Sequence, residues 1–288
     1  MKKVKQINTI PEDLQQFLTA YPPEKRDKGD WNVFRNNEGG TTYSNLIQAL
    51  MGIQRGLCAY CEINLIENDY QIEHFHPKSD ISSETDWMFE MTNLFAACKG
   101  GTQTNLFGTK TRHPEPNRCL PPIKKNRSCG EAKDDNVMDD EILKPSELPI
   151  SPSLFLINRK PSVGIINKDV DKEGALKVNE NACLHAGIDP KKVQTTIDAF
   201  NLNCDRLCLA RKMVLEKLEE DYERELADLA DLGENPSDEQ IKSVLEKMAK
   251  NNLAVNQDET LPAFFSTIRI FFLPIGESVL AQSPQNWI

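Results

Sequence analysis

Cys58-Ala59-Tyr60-Cys61 sets two thiols three positions apart, and Cys98 and Cys129 follow within the same stretch of chain. A single such pair can run disulfide exchange or supply half of a tetrahedral zinc site. Redox use calls for a strand–helix–strand setting of the thioredoxin kind, and none surrounds this pair. Cys98 and Cys129 supply the two further thiolates that a zinc tetrahedron needs, with Cys119 a competitor for one of the later places. Inside that frame lies Gln71-Ile72-Glu73-His74-Phe75-His76-Pro77-Lys78, and Asn93-Leu94-Phe95-Ala96-Ala97 runs into Cys98. A neutral imidazole takes a proton from water near pH 7, and a carboxylate suits a hard ion such as Mg²⁺. Together they meet the needs of phosphodiester hydrolysis, which are an activated water and charge to stabilise the pentavalent phosphorus and leaving oxygen. His74 is the choice for the base. Glu73 points to the opposite face if both lie on a strand, and serves as a ligand only if the strand bends or ends there.

The elements that must hold these groups are mostly helical. Ile10 to Ala20 forms a short helix with Pro11 early in it and Pro22-Pro23 closing it. Tyr43 to Gln54 is a better one, with Leu46, Ile47, Leu50 and Met51 at helical spacing and Gly56 as its stop. From Cys58 to about Asp135 the chain is rich in Cys, His, Asn and Gly and lacks long apolar periods, as expected of a segment that metal holds together. Beyond an acidic, Pro-bearing stretch, Ser162-Val163-Gly164-Ile165-Ile166 and Ala175-Leu176-Lys177-Val178 read as a hairpin. Helices over 190–200 and 204–232 come next. Ser237 and Gln240 form a capping box before Ile241 to Lys250, and Pro262 to Phe272 is a last, largely buried helix.

Composition excludes several classes. With 288 residues, 39% hydrophobic and 27% charged, the chain is neither collagenous nor disordered and can bury a core. The greasiest stretch, Leu261 to Gly276, is too short and too polar to span a membrane. The N-terminus lacks the apolar run of a signal peptide, so a soluble, cytoplasmic protein is expected. In that compartment eight cysteines argue for metal or free thiols rather than disulfides. The net charge of −10 speaks against non-specific coating of nucleic acid. Yet Lys99 to Lys133 carries eight basic residues against Glu115 and Glu131. That local excess, beside the proposed site, favours phosphate contact by Lys99, Lys110, Arg112, Lys124, Lys125 and Arg127, joined by Lys78 and His76. His76 can equally face solvent. The negative charge concentrates between Lys212 and Glu259, six basic residues against fourteen acidic. Cys183, Cys204 and Cys208 read as buried small hydrophobes.

The motifs CAYCE, IEHFHPKS, DW…NLFAAC and CG..K resemble the HNH nucleases, and most closely the Septu-type anti-phage, PtuB-like proteins, some of which accompany retrons. The resemblance implies an α+β protein built on a ββα-metal unit stapled by a four-cysteine zinc and flanked by mainly helical segments. It implies metal-dependent endonuclease activity in antiviral defence, with structural Zn²⁺ and catalytic Mg²⁺ or Mn²⁺. It assigns Glu73 to the metal-binding acid, His74 to the base and Asn93 to a brace for the loop that carries it. It also implies a PtuA-like ABC-type ATPase partner, which agrees with the absence of a Walker-type loop here. A retron reverse transcriptase with its nucleic acid is a further partner. The expected organisation is a helical segment over 1–57, the nuclease unit over 58–140, and a hairpin with helices over 141–288. One position departs from the pattern. The third motif residue falls on Gly130, which has no side chain, so Asp134, Asp135, Asn136 or His76 must replace it or the register shifts. Thirty residues separate Cys98 from Cys129, where compact HNH units have two. The rival readings are a catalytically inactive zinc module that docks the ATPase or nucleic acid, and a thiol redox protein.

Overall fold

Apolar spacing builds the first three helices. The computed structural model describes residues 1–7, 9–25, 30–80, 82, 84–103, 124–159, 172–230 and 236–288. Helix α1 (Glu12–Ala20) starts directly after Pro11, whose extended backbone makes it the N-cap, and buries Leu14 and Phe17. Helix α2 (Asp30–Asn36) buries Trp31 and Phe34. Helix α3 (Thr41–Ile53) buries Leu46, Ile47 and Leu50. The chain then turns through Gly56 at φ +74°, a left-handed conformation that glycine adopts without strain. Phe17, Trp31, Phe34 and Phe89 pack ring against ring between these helices. Each fully buried aromatic of this kind contributes roughly 2–3 kcal/mol of hydrophobic stabilisation.

Strands β1 (Gln71–His74) and β2 (Leu94–Ala97) form an antiparallel pair that aligns Glu73 with Phe95 and His74 with Leu94. The two outer edges of this pair differ. Gln54, buried at the end of α3, closes the outer edge of β2 by accepting from the Ala96 N–H and donating to the Ala96 carbonyl. The Ala59 N–H adds a second bond to that carbonyl. Along β1 the Tyr43 hydroxyl accepts from the Ile72 N–H, and the remainder of that edge faces a cleft. A four-residue helix, α4 (Gly130–Lys133), follows Cys129.

A second antiparallel pair joins β3 (Phe155–Ile157) to β4 (Leu176–Val178). The expected hairpin thus has its second strand where the sequence put it, paired with a segment upstream of the expected first strand. Ser162 to Ile166 lies outside the described residues. Helices α5 (Glu180–Ala186), α6 (Pro190–Ala199), α7 (Asp205–Ala230) and α8 (Asp238–Asn252) come next. Ser237 and Gln240 cap α8 reciprocally, as the spacing predicts. The expected final helix over 262–272 begins only at Phe265, because Phe264 takes a left-handed conformation at φ 55°. It is also not the last. Helix α9 (Phe265–Phe271) ends before Pro274, which has no N–H to continue it, and α10 (Ile275–Ala281) follows.

The principal core runs from α1–α3 through both strand pairs to the start of α7. A second cluster joins the middle of α7 to α8, α9 and α10. Cys183, Cys204 and Cys208 are buried free thiols. No helix among the described residues is long and apolar enough to cross a membrane.

Candidate active site and cysteine cluster

Cys58, Cys61, Cys98 and Cys129 converge in the interior, all four sulfurs within 4.8 Å of one another. Three segments bring them there. The turn after α3 carries the first two, closed by a bond from the Cys58 N–H to the Ile63 carbonyl. Cys98 directly follows β2, and Cys129 precedes α4, with its N–H bonded to the Phe200 carbonyl. Sulfur separations are 3.8 Å for Cys58–Cys129, 3.6 Å for Cys61–Cys98 and 3.7 Å for Cys98–Cys129. A tetrahedron with zinc–sulfur bonds of 2.3 Å has edges of about 3.8 Å. The four thiols therefore fit a metal such as zinc without rearrangement. Cys119, the competitor, lies outside the described residues.

Beside this cluster, on the open edge of β1, lies a cleft of about 470 Å³ lined by Glu73, His74, Lys78, Lys99, Arg127 and Gly130. Adjacent strand residues point to opposite faces, yet Glu73 and His74 both line it. The cleft runs along the edge of the strand, so side chains from either face reach it.

His74 is buried, its ring edge-on to Trp31 with centroids 4.5 Å apart. Its Nε2 lies 3.0 Å from the Met88 carbonyl oxygen. A carbonyl only accepts, so Nε2 carries the hydrogen and Nδ1 keeps its lone pair. Burial, followed by repulsion from Lys78, pushes the imidazole down to about 3, so the ring is neutral at physiological pH.

Burial acts oppositely on Glu73, raising its carboxyl to about 7 against the pull of the Lys133 ammonium, with Glu131 adding to the rise. The carboxylate rests over Gly130, so closely that a Cβ at position 130 would overlap both its oxygens. The missing side chain at Gly130 is therefore what admits the Glu73 carboxylate. Asp134 and Asp135 line the same cleft, whereas Asn136 does not; it donates to the Lys133 carbonyl.

Asn93 is buried at the turn into β2. Its amide nitrogen donates to the carbonyls of His76 (2.9 Å) and Trp87 (2.8 Å). Its oxygen accepts from the His76 N–H at 2.7 Å. Three bonds thus pin the loop that leaves His74. The His76 ring does not line the cleft. It stacks on Trp87 and places Nδ1 2.8 Å from Asp139 and Nε2 2.9 Å from Asp80. Both ring nitrogens are engaged, which leaves neither for a phosphate.

No family model matches the sequence. A protein of Escherichia coli named "Retron Ec83 putative HNH endonuclease" is 34% identical over 232 residues, covering 74% of this chain and 79% of that protein. This chain belongs to the HNH endonuclease family. A second HNH relative, "Retron Vc95 putative HNH endonuclease" of Vibrio cholerae serotype O1 biovar El Tor, is 28% identical over 166 residues, 58% of this chain and 61% of the relative.

Of the basic residues expected to touch nucleic acid, the cleft gathers Lys78, Lys99 and Arg127. Lys124 and Lys125 are exposed on the turn before Arg127 and do not line it. Lys110 and Arg112 lie outside the described residues. Sequence reasoning missed the opposite wall, where α2 contributes Trp31, Asn32 and Arg35 and the chain before β1 contributes Tyr70. The Arg35 guanidinium packs over the Tyr43 ring at 5.5 Å. The only signal for that wall was aromatic and basic residues close together in a short helix.

Proposed function

We propose that this chain is the nuclease of a retron-associated antiviral defence system, hydrolysing phosphodiester bonds with a divalent ion. One observation carries the reading. His74 and Glu73 share a cleft, with the imidazole neutral and Nε2 committed to Met88, so that Nδ1 is the one nitrogen able to accept a proton. In this reading β1, β2 and α4 are the ββα-metal unit within residues 58–140. The preceding helical segment adds a cleft wall through α2, and residues 141–288 support the unit from behind. The four thiolates hold structural zinc. Glu73 holds Mg²⁺ or Mn²⁺ with Asp134 or Asp135 as nearby acids, and the ion supplies Lewis-acid stabilisation of the developing phosphorane charge.

The protein's own contribution is proton handling and positioning. Nδ1 of His74 removes the proton from the attacking water, and the bond to Met88 fixes the tautomer and stabilises the imidazolium that forms. Asn93 holds the loop so that the ring does not drift. Lys78, Lys99 and Arg127 bind backbone phosphates and orient the strand, without reading bases. The fit of Glu73 over Gly130 supports this over an inactive zinc module, since that reading drew on an empty third position. From the resemblance to Septu systems we infer an ABC-type, PtuA-like ATPase partner and association with a retron reverse transcriptase.

The test is cleavage of plasmid, single-stranded DNA and tRNA with Mg²⁺ or Mn²⁺, with the co-encoded components present. Wild type is expected to cut at least one substrate, and His74→Ala to lose at least a hundredfold in rate. Equal cutting by both removes His74 from the mechanism.

A further inference from the structure

Arg206, at the start of α7, is the largest of the fully buried side chains. A guanidinium is always charged and carries five N–H groups, so a buried one normally faces a carboxylate or a set of carbonyls. Arg211, further along the same helix, follows that rule and donates to the carbonyls of Gly174 (2.6 Å) and Leu202 (2.5 Å). Arg206 does not. Among the described residues no carboxylate pairs with it. Among those residues its one hydrogen bond runs from Nη2 to the Ser128 hydroxyl at 2.5 Å, and its Nε finds no acceptor. Burial works against its charge, and the groups that would favour that charge, once ionised, are the sulfurs of Cys98, Cys204, Cys61 and Cys129. Gly101 leaves room for it, since a Cβ there would come within 2.7 Å of Nε. Ser128 in turn reaches Cys129, with Oγ 3.6 Å from Sγ. That hydroxyl can accept from the guanidinium and donate to the sulfur at once.

We propose that Arg206, relayed through Ser128, is the counter-charge of a metal–tetrathiolate centre at Cys58, Cys61, Cys98 and Cys129. This rests on a metal occupying those sulfurs. Four thiolates around a divalent ion carry a net charge of −2, whereas four neutral thiols carry none and would leave a buried guanidinium uncompensated. Arg206 halves that charge and, through the Ser128 hydroxyl, lowers the basicity of the Cys129 sulfur, slowing its protonation and the loss of the metal. Because it belongs to α7, it also makes docking of the helical region part of the metal site.

The experiment uses the full chain with Co²⁺ as a spectroscopic probe, the sulfur-to-metal charge-transfer band reporting occupancy, and metal analysis of the protein as isolated. Wild type is expected to hold one metal per chain. Arg206→Met is expected to weaken Co²⁺ binding about ten- to a hundredfold, and Arg206→Lys to recover most of the loss. The metal-free proteins guard against a merely structural role. There the order should reverse, with Arg206→Met melting no lower than wild type because an uncompensated charge has gone. Equal Co²⁺ affinity in wild type and Arg206→Met overturns the counter-charge role while leaving the metal site standing. A wild type with no bound metal and no charge-transfer band overturns the metal site itself. Equal destabilisation of the metal-free and metal-loaded variants makes Arg206 a packing residue and refutes the proposal.

Discussion

Gly130→Ala separates the position of the Glu73 carboxylate from the stability of the fold. The glycine sits in α4 with an ordinary φ, so alanine fits its backbone, and in a helix it is favoured over glycine by about 0.5–1 kcal/mol. Its Cβ would overlap the carboxylate, which is the free end of a flexible side chain and can swing aside. The fold should therefore persist, with a melting temperature equal to or above that of wild type. The carboxylate must move by roughly 1 Å, and a misplacement of that size at a reacting centre costs about a hundredfold in rate. The assay is divalent-ion-dependent cleavage on whichever substrate wild type cuts, alongside thermal melts. Glu73→Gln should lose at least as much, and the double variant should lose no more than Glu73→Gln alone, because both act on one carboxylate. Full activity in Gly130→Ala, at unchanged ion requirement, would refute the placement of the ion at Glu73.

Three further outcomes follow from the same cleft. Burial raises the Glu73 carboxyl to about 7, so the folded state holds its proton more tightly than the unfolded chain does. Its stabilising contribution is then fully present below the unfolded carboxylate range and is lost as pH rises through about 7. Metal-free wild type should therefore lose melting temperature relative to Glu73→Gln between pH 5 and 8, and parallel curves would contradict this. Cleavage at low Mg²⁺ should climb through the same window and its midpoint shift to lower pH as Mg²⁺ is raised, while His74, neutral throughout, adds no step. Replacing Lys78 or Arg127 by alanine should reduce the slope of log affinity against log salt by about one unit each on duplex DNA, without changing sequence preference. An unchanged slope would place phosphate contact elsewhere.

The sequence made the chemistry legible more readily than its geometry. The sequence named the four sulfurs with Cys119 as a competitor, and thirty intervening residues left the last one open, because separation along the chain does not reveal proximity in space. Strand alternation put Glu73 and His74 on opposite faces. What it could not show was which edge of the pair stays open, a matter settled by Gln54 and Ala59 closing the β2 side. Gly130 read as a gap because a motif records side chains and not the volume another residue needs. His76 read as either a phosphate ligand or a solvent-facing ring because one of its two carboxylate partners, Asp139, lies sixty-three residues away. Arg206 gave no signal at all, since nothing in an amphipathic helix marks a cation that will be buried against a serine hydroxyl.

Cys98 and Cys129 stand with sulfurs 3.7 Å apart, so the excursion between them departs from and returns to nearly one point. The length of that excursion is thereby uncoupled from the placement of β1, β2 and α4, while its two ends, through Lys99, Gly101, Arg127 and Ser128, belong to the cleft and to the surroundings of Arg206. A change in its length can therefore leave the four sulfurs and the cleft beside β1 in place.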